Sequence, residues 1–232
     1  MNEEFSNYEV EVDSLDDARL VISALLAEQQ RLKERLYRDK KTGLFSEEFL
    51  NDVVVEKLDE SLAYFQSLNR QQQLLSTRNL VLLIDMNGLK QINETNGYDA
   101  GDQALISLAR ALEKTVRDED YLVRMNKGGD EFIIVAKTKN YASEGAELAI
   151  TDRIKKLIMD ESNGSISASI GCSWLEDNSS FVETRQKAEK AMKADKSAYY
   201  DYKQTKAEMT LSDGSRRTYV ASSRMLSRRA DD

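Results

Sequence analysis

Gly128-Gly129-Asp130-Glu131-Phe132 lies between two apolar runs, Tyr121-Leu122-Val123-Arg124-Met125 before it and Phe132-Ile133-Ile134-Val135-Ala136 after it. Both runs are rich in strand-forming residues, and a glycine pair between them is a hairpin signal, so the stretch predicts two antiparallel strands with carboxylates at their turn. Taken alone, Gly-Gly followed by acids is an ordinary solvated turn. A second acidic position changes that reading. The apolar run from Asn79 to Ile84 ends directly in Asp85, and Met86-Asn87-Gly88-Leu89-Lys90 follows, then Asn93, Asp99 and Asp102. If that strand pairs with the hairpin, Asp85, Asp130 and Glu131 converge at one edge of a sheet. Carboxylates held so close repel unless a cation neutralises them, and all-oxygen ligation suits magnesium or manganese.

Composition narrows the chemistry further. The 232 residues include no histidine and one cysteine, Cys172. That excludes Ser-His-Asp and Cys-His systems, histidine-ligated metals and internal disulfides. Catalysis has to come from carboxylates, lysines, backbone amides and bound metal. Cys172 falls in the strand-like run from Ser165 to Trp174, where a buried, inert thiol is expected. The formal net charge of −8 argues against a nucleic-acid polymer as partner, since affinity for a polyanion comes from clustered Lys and Arg. A nucleotide, whose charge one metal and a few cations can meet, stays compatible. No apolar run approaches the length of a membrane span and no signal-peptide pattern opens the chain, so a cytoplasmic protein is expected.

The quoted residues resemble the GGDEF domain of diguanylate cyclases, which condense two GTP into cyclic di-GMP. The resemblance runs roughly over residues 39–204. It takes in Asp39-Lys40-Lys41-Thr42-Gly43-Leu44, similar to D-x-L-T-G-L, and Asp85 to Asn93, similar to D-x-D/N-x-F/L-K-x-I-N. Gly97-Tyr98-Asp99-Ala100-Gly101-Asp102 is similar to G-H-x-x-G-D, and Ser169-Ile170-Gly171 and Ala194-Asp195-Lys196 match two later landmarks. The fold implied is an α/β (α+β) palm like that of nucleotidyl cyclases: a mostly antiparallel sheet flanked by helices, with an added N-terminal helix.

The resemblance also assigns roles. Asp85 and Asp130 would be ligands of Mg2+ (or Mn2+), with the backbone carbonyl of Met86. Glu131 would be a ligand of a second metal or the base that draws the 3′ proton, the metal role being preferred because a carboxylate beside magnesium stays ionised. Asn87, Gly88 and Leu89 would present backbone amides to phosphates, with Lys90 as a phosphate-contacting cation. Gly128 and Gly129 belong to the substrate turn. Asn93 and Asp102 would read guanine, because an aspartate accepts from N1–H and N2–H of guanine but faces a lone pair in adenine. Tyr202 and Lys206 occupy the positions of the family's late phosphate-gripping lysine and arginine, with Lys203 a neighbouring substitute. Arg117 and Asp120 have the Arg-x-x-Asp form of the family's product-inhibition site, against which Arg117 reads as a mere cation near a helix end. Two features depart from the pattern: Ser46-Glu47 stands where the family carries Asn-Arg, and Asn126-Lys127 are two extra residues before the glycines.

In chain order, residues 1–12 are expected to form a mobile tail and residues 13–38 a signalling or dimerisation helix. Leu15, Ala18, Ile22, Leu25, Gln29, Leu32 and Leu36 form a heptad seam, suited either to a parallel homodimer or to packing on the neighbouring domain. A helical pattern runs from Ser46 to about Arg70, a polar link leads from there to Asn79, and Gly97 to Gly101 reads as a loop before a helix capped by Asp102. Helices are expected over residues 143–159 and 181–202. Residues 205–232 read as a tail or as a small hairpin, Met209-Thr210-Leu211 and Thr218-Tyr219-Val220 around Asp213-Gly214. The function implied is a metal-dependent diguanylate cyclase working across a dimer of half-sites. The alternative is a catalytically silent domain that binds GTP or cyclic di-GMP as a regulatory module.

Overall fold

A strand that is apolar on both faces belongs at the centre of a sheet, and β1 (Arg78–Met86) has that character: it is buried from Asn79 onward. The computed structural model describes residues 14–126, 129–138, 145–176 and 178–213. In it β1 lies between β3 (Glu131–Thr138) and β4 (Ala168–Trp174), with β2 (Tyr121–Arg124) outside β3, giving the order β2-β3-β1-β4. Every neighbouring pair is antiparallel, as expected. The β1–β3 ladder runs from Arg78 opposite Thr138 to Asp85 opposite Glu131, and on the other side Asp85 faces Ser169.

Strand alternation sorts the core into two layers. Leu80, Leu82, Ile84, Phe132 and Ile134 point to one face, against α6 (Tyr98–Glu113) and α7 (Ala146–Glu161). Val81, Leu83, Ile133 and Val135 point to the other, against Leu50, Val54 and Leu58 and the first half of α8 (Phe181–Asp213). Phe132 is fully buried, so its truncation to alanine carries the usual core cost of about 3–5 kcal/mol. Gly171 is what lets α8 seat: a Cβ there would lie 2.1 Å from the Met192 nitrogen and 2.2 Å from the Ala188 oxygen.

α1 (Leu15–Leu36) starts on Ser14, whose side chain accepts from the Asp17 amide, and it buries no residue. Leu15, Ile22, Leu25, Leu32 and Leu36 are all exposed, so the helix does not lay its seam on its own domain.

Several local expectations are corrected. The helical stretch after Ser46 is three pieces: α2 (Glu47–Phe49), a widened π turn over Leu50–Val54, and α3 (Val55–Ser67). The polar link contains α4 (Arg70–Leu75), because Asn69 and Gln72 form a reciprocal capping box. α6 begins at Tyr98, not at Asp102, so Asp102 is inside the helix and is not its cap. Gly101 suggested a loop, but its missing Cβ serves packing: one would sit 1.8 Å from Asn93 Oδ1. α8 continues through Asp213, so Met209-Thr210-Leu211 are helical and form no hairpin strand. Residues 1–12, Gly128, Lys127 and the basic stretch beyond Asp213 lie outside the described residues.

Candidate functional site

The sheet end where β1 stops carries the acids. Asp85 is buried, and its register partner Glu131 shares its face of the sheet, while the Asp130 carbonyl accepts the Met86 amide at 3.0 Å. The predicted convergence of strand end and hairpin turn is therefore present. It is not a ready-made cage: among the described residues no group of three or more acids lies close enough together to hold a metal ion. Lys196 of α8 meets the charge instead, donating to Asp85 Oδ1 at 2.6 Å.

Electrostatics divides these groups. Burial, then the Asp85 charge, pushes the Asp130 carboxyl above its ordinary range. Glu131 is raised for the same two reasons, with Asp130 and Glu189 adding to the repulsion and Arg185 opposing it. Burial alone would lower the Lys196 ammonium, but its bond to Asp85 and the charges of Asp85 and Asp130 outweigh that and hold it up. Lys196, with Arg124 and Arg185 at longer range, still leaves both hairpin carboxyls raised, and the site's donors are hard oxygens. Both properties fit an added divalent cation.

Beside the acids the chain turns into α5 (Leu89–Asn96) through Gly88, whose φ of +78° is left-handed and suits glycine. The Asn87 side chain accepts from Ser169 Oγ at 2.8 Å, and its amide donates to the Ser167 carbonyl at 2.9 Å. Asn87 is thus a brace for the turn, and its amide is already committed, contrary to the expected phosphate role. The first-turn amides of α5, Leu89 onward, have no carbonyl one turn back and point out of the helix end. Lys90 extends into solvent beside Glu94, 3.8 Å away. Lys203 of α8 reaches Gln91 Oε1 at 3.2 Å, in that same first turn, while Lys206 is exposed farther along. Asn93 lies over Gly101, and Asp102 is held by Lys41.

Sequence reasoning overlooked three cations: Lys41, Lys196 and Arg124. Arg124 is buried and donates to Asp39 Oδ1 at 2.9 Å and to the Gly129 carbonyl at 2.7 Å. Asp39 also accepts from the Thr42 amide and hydroxyl. Burial by itself would raise Asp39, but the Thr42 hydroxyl, Arg124 and the Thr42 amide together hold it below the ordinary carboxylate range. The Asp39–Leu44 turn is thereby tied to the glycine turn. The only available signal was an arginine at the end of an otherwise apolar strand. Asp195 accepts the Ile170 amide at 2.8 Å and pairs with Lys155, fastening α8 and α7 to the outer strand. Cys172 is half-buried where a buried thiol was expected, and its thiol is pushed up to about 12 by burial and then by Glu147, which disfavours the reactive thiolate.

Arg117 and Asp120 lie elsewhere. They line a cavity of about 450 Å³ with Lys137, Arg153, Leu80 and Ile134. That cavity opens on the opposite face of the sheet, about 16 Å along β1 from Asp85. Both Asp120 oxygens accept backbone amides, from Arg117 and Lys137.

A family model described as "Diguanylate cyclase, GGDEF domain" matches residues 36–201. The chain belongs to the GGDEF diguanylate cyclase family. "Probable diguanylate cyclase DgcJ" of Escherichia coli strain K12 is 30% identical over 147 residues, 59% of this chain and 26% of that protein. "Diguanylate cyclase DosC" of the same strain is 35% identical over 117 residues, 48% of this chain and 25% of that protein. The chain therefore spans about a quarter of the length of these relatives. Among solved structures, the coiled coil and GGDEF domain of DgcB from Caulobacter crescentus, in complex with c-di-GMP, shares the fold. It has a TM-score of 0.62 at 19% identity and covers 79% of this chain and 93% of its own. Diguanylate cyclase SiaD from Pseudomonas aeruginosa, in complex with its activator SiaC, gives 0.55 at 24% identity, covering 78% and 66%. In this GGDEF domain the two departures from the family pattern touch one another. The extra residue Asn126 donates its amide to Glu47 at 3.1 Å and its side chain to Glu48 at 2.7 Å. No described helix is long and apolar enough to cross a membrane.

Proposed function

We propose that the chain is a diguanylate cyclase, condensing two GTP into cyclic di-GMP with release of two pyrophosphates. The observation that carries this reading is the charge imbalance at the sheet end: Asp130 and Glu131 both pushed up by burial and by Asp85, beside the open N-terminus of α5. Asp85, Asp130 and the Met86 carbonyl would hold Mg2+ or Mn2+, with Glu131 as a further ligand or as the proton acceptor. The ion supplies charge neutralisation at the phosphates and a more acidic 3′ hydroxyl. The protein's own groups do the rest. The α5 amides and Lys203 receive the terminal phosphates, Lys90 adds a mobile cation, and Asn93 and Asp102 select the base. Each chain carries one such cradle, so two must face each other. The exposed seam of α1 supports a homodimer, since a second copy would cover the leucines that this chain leaves in water.

The test is the full chain with GTP and magnesium, followed by chromatography for cyclic di-GMP, with Asp130→Asn beside it. Product from the first and none from the second is expected. The alternative, a silent module that binds GTP or cyclic di-GMP, is favoured by one observation: Lys196 already donates to one oxygen of Asp85 and so competes with a metal for that carboxylate. It predicts calorimetric nucleotide binding with no product. Inhibition by cyclic di-GMP at Arg117 and Asp120 is tested by adding product to the assay, with Arg117→Ala expected to remove the effect.

A further inference from the structure

We propose that Lys41 is a base-specificity residue, forming with Asp102 a donor–acceptor pair that reads the O6 and N1 positions of guanine. The inference rests on the nucleotide reading of the site and deepens it. Lys41 belongs to the turn that Asp39 closes, and its ammonium donates to Asp102 Oδ1 across sixty-one positions of sequence. In the D-x-L-T-G-L pattern this position carries leucine, so Lys41 puts a cation where the pattern has an apolar side chain. Both side chains are part-exposed, lysine at 38% and aspartate at 41%, so the pair faces solvent where a ligand can reach it. The pair is not there for stability, because ion pairs this exposed contribute about 0–1 kcal/mol.

The chemistry follows from the order of groups. A carboxylate has about four lone-pair positions, so accepting from Lys41 leaves Asp102 room for two further donors. Guanine presents N2–H, N1–H and the O6 acceptor side by side along one edge. Asp102 meets the two N–H groups, and an ammonium against the same carboxylate lies next to O6. Adenine reverses both positions, with a lone pair at N1 and an N–H donor at N6, so lysine and aspartate oppose it together. Asn93 shares the pocket, its amide lying over Gly101, the residue before Asp102. Three segments of chain thus contribute to one base edge: the Asp39–Leu44 turn, the end of α5 and the second turn of α6.

The experiment is calorimetric binding to the full chain, with magnesium, of 3′-deoxy-GTP and of 6-thio-3′-deoxy-GTP. Neither can react, since the attacking hydroxyl is missing, and they differ only in the acceptor at position 6. Wild type should favour the oxygen form by about tenfold, the loss expected when one charge-assisted hydrogen bond weakens. Lys41→Met, which keeps the length of the stem on an exposed turn, should bind 3′-deoxy-GTP about tenfold more weakly and bind the two analogues alike. Lys41→Arg should restore most of the discrimination. A Lys41→Met variant that keeps the wild-type ratio overturns the proposal, as does one that binds 3′-deoxy-GTP more tightly, which would make Lys41 a blocking residue. If Asp102→Asn loses binding while Lys41→Met does not, the Lys41 role fails and the nucleotide site stands. If wild type binds neither analogue, the nucleotide reading fails with it.

Discussion

Two acidic clusters sit at the same end of the sheet and differ in how their charge is met. Around Asp39, every negative charge has a partner: Arg124, the Thr42 hydroxyl and the Thr42 amide converge on one carboxylate and hold it ionised. Around Asp85, Asp130 and Glu131, Lys196 bonds only Asp85, and despite Arg124 and Arg185 at longer range the two hairpin acids are pushed toward protonation. The first arrangement is what a chain does to hold a turn in place. The second is the kind of arrangement found at functional sites, and an added cation would relieve it. Arg124 links the two, because its other hydrogen bond goes to the carbonyl of Gly129, next to Asp130.

The sharpest way to break this comparison is to neutralise one charged group in each cluster. Asp130→Asn should lower cyclic di-GMP formation on the order of a thousandfold, measured by chromatography, while leaving the thermal midpoint equal or slightly higher. A large loss of stability in that variant would show that Asp130 belongs with the structural cluster. Arg124→Met should do the opposite. It strands Asp39 and the Gly129 carbonyl and should cost about 3 kcal/mol in urea unfolding, the range for a buried pair losing one partner. An unchanged midpoint there would remove the bracing role.

A smaller effect lies in pH dependence, and the two clusters carry opposite signs. Asp39 has a folded pKa below its unfolded value, so its contribution is present above the unfolded value of about 4 and is lost as pH falls through the folded one. Asp130 and Glu131 have folded values above the unfolded ones, so stability is lost as pH rises from about 4 through the folded values. In metal-free buffer, Glu131→Gln should gain on wild type as pH rises over that window, by less than about 1 kcal/mol given its part exposure. Asp39→Asn should trail wild type at neutral pH and close the gap as pH falls. The smallest expected change is Asn126→Ala, which frees the hairpin extension from Glu48 and should cost about 0.5 kcal/mol, with a mild drop in turnover if the extension steadies Asp130. Full activity in that variant would make the contact incidental.

The landmark motifs were legible as landmarks, but their physical jobs were not. Ser169-Ile170-Gly171 resolves into three separate tasks: Ser169 holds Asn87, the Ile170 amide takes Asp195, and Gly171 admits the backbone of α8. Asn87 was expected to offer its amide to a phosphate, yet Ser167 and Ser169 use the residue as a brace. Gly101 and Asp102 looked like a loop and a cap because glycine before aspartate often is one. Only the approach of Asn93 from another helix shows why glycine is required there.

What the residue order determined by itself is whatever depends on neighbours a few positions apart. The apolar run of β1, the glycine-acid turn, the helical spacings and the absence of histidine settle strands, helices and the kinds of chemistry open to the chain. Tertiary structure alone decided which charges meet: Lys196 with Asp85 across 111 positions, Arg124 with Asp39 across 85, and Lys41 with Asp102 across 61. The physical reason is that periodicity reports which face of an element is apolar, whereas an ion pair depends on where two distant backbones come to rest, and no local pattern encodes that distance.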